Sequence, residues 1–246
     1  MQSKDPGIRQ LVELESLKTW SLIVTLFGDL NGQELTGSQI KSLLGHIGIK
    51  PEAIRTALYR LKSDGWIVSE KRGREAFYKL SRKGHEQTQA VTEDIYGQSK
   101  RYADGWQFVY HKDDPTTNDA IALSKDLFVV PVDRNTCVDN NEQQCLSFTL
   151  VDKHIPNWFV AKLAPEPIQR NANALIDVVS NKSANYSEQD ALVLRLLVLH
   201  HWRKLALRPG SWALMWFVPS GELTTCQQVV TAFLNDTNRI HAESIE

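Results

Sequence analysis

The stretch 51–80, PEAIRTALYRLKSDGWIVSEKRGREAFYKL, constrains this chain more than any other. Ile54, Ala57, Leu58 and Leu61 recur at helical spacing and define one buried stripe. Glu52, Thr56, Tyr59 and Ser63 fall on the opposite face, flanked by Arg55, Arg60 and Lys62. After Gly65 the period shortens: Trp66 and Val68, then Ala76, Tyr78 and Leu80, alternate as strands do. Between the two strands lies Lys71-Arg72-Gly73-Arg74, three cations around a residue suited to a turn with positive φ. A helix, a tight turn and a hairpin with a cationic tip together predict a winged helix-turn-helix.

The surrounding sequence agrees with a helix-turn-helix. Leu17, Trp20, Ile23, Val24 and Phe27 form an apolar stripe over about 16–30, ended by Asn31-Gly32. Thr36 and Gln39 have the spacing of a capping box and start a second helix over about 37–46, with Ile40, Leu43 and Leu44 inward. Gly48 supplies the turn, and Pro51 suits the first position of the next helix, where its missing N–H costs nothing.

Charge separates this segment from the rest. The formal net charge is −1, yet residues 16–85 hold 12 Lys and Arg against 6 Asp and Glu, while 86–246 hold 14 against 20. A basic segment joined to an acidic remainder fits a nucleic-acid reader fused to a part that stays off the polyanion. With 246 residues, 42% of them hydrophobic, the chain is long enough for two or three units with real cores. No apolar run reaches the roughly 18 residues of a membrane helix; the longest, 192–199, is interrupted by Arg195. The polar N-terminus, unlike a signal peptide, and three widely spaced cysteines (Cys137, Cys145, Cys226) predict a cytoplasmic protein with reduced thiols.

The expected organisation is α+β: a winged helix-turn-helix at 16–85, a connecting helix at 86–101, a middle domain at 102–164 and a helical C-terminal domain at 165–246. Strands are predicted over 106–110, 127–132 and 146–151, while 157–163 reads equally as strand or helix. Helices are predicted over about 168–179, 188–207 (with Ser187 as N-cap and Pro209-Gly210 beyond its end) and 227–235.

Four blocks resemble PaaX-type transcriptional regulators: Ser21-Leu22-Ile23-Val24-Thr25-Leu26-Phe27-Gly28-Asp29; Arg55-Thr56-Ala57-Leu58 with Arg60-Leu61 and Asp64-Gly65-Trp66; Arg72-Gly73-Arg74 with Phe77-Tyr78 and Leu80; and the segment 196–203, LLVLHHWR. The resemblance implies a bacterial repressor of aromatic-acid catabolism, released from DNA by an aryl-CoA thioester such as phenylacetyl-CoA. It also implies a ferredoxin-like middle domain. Lys50-Pro51 replaces the small polar cap usual before the recognition helix, and Tyr59 stands where a small residue is expected. A Tyr59 that faces the groove would read a different operator.

On this reading Arg55, Thr56 and Tyr59 meet base edges, where arginine can pair bidentately with guanine and a threonine methyl can meet thymine. Arg60, Lys62, Lys71, Arg72 and Arg74 are assigned to phosphates. The partner is double-stranded operator DNA, bound by a homodimer on two half-sites. Trp20 and Trp66 lie on apolar stripes and are expected to pack in the core rather than stack on bases. His200, His201, Trp202 and Arg203 are the candidate effector site, an aromatic ring beside a histidine pair and cations; the plainer alternative is the solvated end of a buried helix.

No catalytic, cofactor or metal site is expected. Histidines and cysteines lack ligand spacing, and neither a phosphate-cradling glycine loop nor a nucleophile–base arrangement is present. Two rivals remain: a ligand-independent regulator or activator of the same fold, and a metal-dependent nuclease using Asp113 and Asp114 at a strand end of the middle domain.

Overall fold

Asp5 opens the first helix by accepting a hydrogen bond from the Ile8 N–H at 2.9 Å, with Pro6 in the first turn. The computed structural model of the chain describes residues 3–97, 105–111, 121–132, 145–149, 156–183, 186–208 and 210–245. Helix α1 (Pro6–Leu14) buries Ile8 and Leu11. It lies ahead of the segments anticipated from the sequence, although its Asp-Pro start and the i, i+3 apolar pair were there to be read.

Helix α2 (Thr19–Asp29) is buried from Ser21 through Phe27. Trp20, expected in its apolar stripe, is 38% exposed. The helix is covered from two sides, by α4 (Pro51–Ser63) and by a C-terminal helix, and Trp20 near its start stays partly open to solvent. Strand β1 (Leu35–Thr36) leads into α3 (Gly37–Gly45). The capping box forms as expected: Gln39 N–H donates to Thr36 Oγ1 at 3.2 Å and Thr36 N–H donates to Gln39 Oε1 at 2.9 Å. In α4, Ile54, Ala57, Leu58 and Leu61 face inward. Glu52 in its first turn and Arg60 and Lys62 in its last complement the helix dipole.

Strands β2 (Ile67–Arg72) and β3 (Glu75–Leu80) form an antiparallel hairpin, and β1 adds to β3, giving the order β1-β3-β2. Pairing Ile67 with Leu80 and Ser69 with Tyr78 puts those four residues on one face. The buried phase of β2 therefore begins at Ile67, 1% exposed, while Val68, expected inside, is 44% exposed. Trp66 is still in the turn, its N–H bonded to Leu61 O, so it cannot set the strand's phase. Helix α5 (Arg82–Gln89) follows, with Ser81 as N-cap, and then a short turn α6 (Thr92–Ile95). A Cβ at Gly84 would meet Trp66 O at 2.2 Å; only glycine lets α5 lie so close to the turn after α4.

Next comes a four-stranded antiparallel sheet: β4 (Gly105–His111), β5 (Ile121–Ala122), β6 (Leu127–Val132) and β7 (Cys145–Thr149), in the order β5-β6-β4-β7. The pleat splits its side chains. Phe108 and Val129 join the main core, the former edge-on to Phe159 with ring centroids 5.8 Å apart, while Val109, Phe128 and Val130 cluster on the other face. The ambiguous segment 157–163 is helical, α7 (Asn157–Leu163). Then follow α8 (Glu166–Ser180), α9 (Glu188–Ala206), α10 (Ser211–Phe217) and α11 (Glu222–Asp236). Helix α10 was not anticipated, and α11 starts earlier than expected; Ser187 caps α9 as the sequence indicated. The architecture is mixed helix and sheet, α+β. Among the described residues no helix is long and apolar enough to cross a membrane.

Helix α9 is the hub. It contacts α1, α2, α3, α6, α8, α10 and α11, and is buried almost all round from Leu192 to Trp202. Arg195 in this buried run makes a two-pronged ion pair with Asp29 at the end of α2, Nε to Oδ2 at 2.8 Å and Nη2 to Oδ1 at 2.9 Å. Nη1 donates to Leu234 O and to Thr237 O, each at 3.0 Å. Asp29 accepts further from Tyr96 OH at 2.5 Å and from Ile240 N–H at 2.9 Å. Burial raises the Asp29 pKa, and the hydrogen bonds and charge of Arg195 more than reverse this, leaving it below the ordinary carboxylate value. The C-terminal tail is pinned to the N-terminal unit as well, Gln39 Nε2 donating to Ala242 O at 2.7 Å and Ala242 N–H to Gln33 Oε1 at 2.8 Å.

Asp29→Ala strands the Arg195 charge in the core and is expected to cost about 3–5 kcal/mol by urea denaturation. The double variant Asp29→Leu with Arg195→Met removes both charges and should recover most of that loss. Additive losses would show that the pair is uncoupled.

Candidate nucleic-acid interface

The outer face of α4 is open to solvent. Tyr59 is 78% exposed, and Glu52, Arg55, Thr56, Arg60, Lys62 and Ser63 are exposed with it. Local bonds order this face. Arg55 Nη2 lies 3.1 Å from Glu52 Oε1, and Thr56 Oγ1 donates to Glu52 O at 2.9 Å. Arg60 Nε is 3.6 Å from Asp64 Oδ2. Lys62 Nζ donates to Ser69 Oγ at 2.8 Å, tying the helix to β2. Exposed pairs of this kind are weak and exchange readily for other anions. Of the residues expected to line the face, Arg55, Thr56 and Tyr59 come together on one side of α4.

The hairpin tip turns at Gly73, whose φ of 63° favours glycine. Lys71, Arg72 and Arg74 surround it, all exposed. They are not equivalent. Arg72 is bound to Glu34 and Glu70 and lies 4.7 Å over the Phe77 ring. Hydrogen bonds to Glu70 and Glu34 push its pKa above the ordinary value. Lys71 and Arg74 have no carboxylate partner among the described residues. The glutamates at 34 and 70 carry the missing signal: a cation count around the turn does not register acids that β1 and β2 fold against the same guanidinium.

The 200–203 cluster is placed differently from a solvated helix end. His200, His201 and Trp202 are at most 1% exposed. His201 Nε2 is 2.8 Å from Leu11 O, and its Nδ1 is 3.1 Å from Glu15 Oε1. Trp202 Nε1 donates to Ile95 O at 2.8 Å. The histidine and the tryptophan thus hold α1 and α6 onto α9. Glu15 is held down to about 2 chiefly by its bond to His201, with Lys204 adding to the effect against burial. His200 Nδ1 sits 3.5 Å from Thr25 Oγ1, and its Nε2 has no hydrogen-bond partner among the described residues. Arg203 alone is half-buried, with Nη1 donating to Thr25 Oγ1 at 3.0 Å.

Among the described residues no group of His, Cys, Asp or Glu could hold a metal ion. Asp113 and Asp114, the basis of the nuclease alternative, lie outside the described residues, as do Cys137 and parts of the segments 86–101 and 102–164. Cys226 is a buried free thiol whose pKa burial pushes up to about 12, an unreactive environment.

Residues 18–84 match the model of the family described as PaaX-like protein. Over 108 residues the chain is 33% identical to the transcriptional repressor PaaX of Escherichia coli (strain K12). That match takes in 43% of this chain and 34% of the repressor, so it spans about a third of the relative's length. Among solved structures, an uncharacterized protein, Rv0674 from Mycobacterium tuberculosis, superposes with a TM-score of 0.42 at 16% identity, over 85% of this chain and 95% of that one. A likeness at that level fixes neither fold nor function.

Burial, with the neighbouring charges of His201, Lys204 and Arg203, pulls the His200 pKa from 6.5 to about 3. The fold therefore holds the neutral ring, while the unfolded chain takes up the proton first. Stability should be full above pH 6.5 and fall as the pH drops from there towards 3, by up to about 1.4 kcal/mol per pH unit from this group. Melting curves between pH 7.5 and 4.5 should show a clearly shallower acid loss in His200→Gln; an identical slope would rule out His200 as the source.

Proposed function

We propose that the chain is a DNA-binding transcriptional repressor of the PaaX type, in which α3, α4 and the β2–β3 hairpin work as a winged helix-turn-helix. The observation that carries this reading is the open face of α4, presenting Arg55, Thr56 and Tyr59, together with the exposed cations of the hairpin, inside the segment that matches the PaaX-like model. Helix α4 would enter the major groove. The arginine would pair with guanine and the tyrosine present a large amphipathic side chain to the base edges, so the operator would differ from one read by a small residue at position 59. Arg60, Lys62, Lys71, Arg72 and Arg74 would contact phosphates. Arg72 needs a step the others do not: it must leave Glu34 and Glu70, or bind DNA with its charge already offset.

The functional form would be a cytoplasmic homodimer on a two-fold operator, with the genes of aromatic-acid breakdown as the regulated set. The order β5-β6-β4-β7, antiparallel throughout, supports a ferredoxin-like middle sheet. An aryl-CoA thioester would release the protein by favouring a form that cannot bind DNA, which requires different affinities for the two forms. With His200, His201 and Trp202 occupied inside the core, this effector would have to bind elsewhere or loosen α9 from its neighbours.

Gel-shift titrations against the DNA upstream of the protein's own gene, run over a salt series, test the reading. Specific binding is expected, lost on adding an aryl-CoA thioester. Lys71→Ala and Arg74→Ala should each lower the slope of log K against log salt by about one. Arg72→Ala should lower it by clearly less, because its charge is already offset. Binding no tighter than to competitor DNA would remove the proposal, and a complex indifferent to every thioester would leave a ligand-independent regulator.

A further inference from the structure

The pleat of the hairpin sends two neighbouring cations to opposite faces. Ser69 pairs with Tyr78 and Lys71 with Ala76, so Lys71 shares its face with the serine that Lys62 of α4 bonds. Arg72 pairs with Glu75, and Glu70 with Phe77, on the other face. Thr36 of β1 also pairs with Phe77, and Glu34, two residues before it, reaches the Arg72 guanidinium.

Arg72 is engaged there on several sides. Its Nη1 and Nη2 make a two-pronged bond to Glu34, Nη2 lying 3.1 Å from Oε2, and Nη2 also donates to Glu70 Oε2 at 2.6 Å. The guanidinium lies 4.7 Å over the Phe77 ring. A lone exposed ion pair would matter little, but a two-pronged arginine shared by two carboxylates and seated on a ring is held in place. The bond to Arg72 also keeps Glu70 below the ordinary carboxylate value, so it stays charged. One carboxylate would suffice to brace Arg72. Two over-compensate it, and among the described residues this corner of the hairpin is net acidic before Glu75 beside it is counted. An approaching polyanion is repelled there and not attracted.

We infer that Glu34 and Glu70 are negative determinants of DNA affinity: they offset Arg72 and draw its guanidinium away from the phosphates, so that the hairpin grips the duplex chiefly through Lys71 and Arg74. The inference rests on the DNA-binding reading above and names the acids that limit it. A phosphate contact carries no sequence information, so the two glutamates hold down binding to DNA of any sequence. Such binding is the competitor that a regulator must escape to occupy its operator.

The test titrates the full chain, with Glu34→Gln and Glu70→Gln singly and together, on a short duplex of random sequence over a salt series. The double variant is expected to bind roughly five to ten times more tightly than the parent at about 0.1 M salt, with the slope of log K against log salt steeper by about one, the increment of one freed phosphate contact. The same gain is expected on the DNA upstream of the protein's own gene. Adding Arg72→Ala to the double variant should cancel the gain, whereas in the parent it costs clearly less; the difference is the coupling between the arginine and its acids. Glu93→Gln, which removes an exposed carboxylate from α6, should leave the slope unchanged. Unchanged or weaker binding by the double variant overturns the inference, and weaker binding with a lowered melting temperature would make the two acids a brace for the hairpin and nothing more. A gain that survives Arg72→Ala overturns it too, since it would come from net charge alone. Should the double variant fail to fold, Glu70→Gln, which leaves the two-pronged bond to Glu34 in place, decides the matter by a smaller gain of the same sign. Failure of the DNA-binding reading would look different: the parent and every variant would leave the duplex unbound at low salt, and the inference would fall with it.

Discussion

The two-pronged ion pair between Asp29 and Arg195 is the interaction on which the arrangement of this molecule depends. It joins the last residue of α2 to the middle of α9, and both side chains are almost wholly out of water. Such a pair repays its desolvation only when every remaining donor and acceptor finds a partner. Here Tyr96, Ile240, Leu234 and Thr237 supply those partners, from α6, the C-terminal tail and α11. One knot therefore fixes four segments far apart in sequence, and does so directionally, as apolar packing would not. Helix α4 rides on this: it packs against α2, and α2 is anchored to α9.

That anchorage fastens α2 to the helical remainder of the chain. Gly84 tightens the link from the other side, because its missing side chain allows α5 to rest on the backbone of the turn following α4.

The charged surface is more balanced than its cation content implies. Arg55, Arg60 and Arg72 each sit beside a carboxylate, whereas among the described residues Lys71 and Arg74 do not. Pairs at the surface are cheap to break, so they do not prevent phosphate contact. On the proposed reading they would grade it, the tip of the hairpin offering cations without a carboxylate partner and Arg72 one already held by Glu34 and Glu70. A net charge near zero, with the positive excess confined to 16–85, keeps the remaining surface from competing for the same polyanion.

Local rules settled much of this in advance. The capping box at Thr36 and Gln39, Pro51 at the start of α4, the inward stripe of Ile54 to Leu61, the positive φ at Gly73 and the Ser187 cap all depend on neighbours within a few residues, and all were legible in the sequence. So was the outward face of α4, since the buried stripe leaves only one other side. Tertiary structure alone decided what depends on distant partners. Periodicity cannot tell that Trp20 stays partly exposed, or that β2 takes its phase from Ile67 because Trp66 is spent in a turn. Nor can it tell that Arg195, an apparent blemish in an apolar run, meets its carboxylate 166 residues earlier in the chain. The 200–203 cluster shows the same limit: a histidine pair, an indole and a guanidinium in a row read as a site, but a helix surrounded on all sides sends them into different neighbours. Only Arg203 is left facing open space, because the direction of a side chain on a buried helix is set by what packs around it and not by the residues beside it.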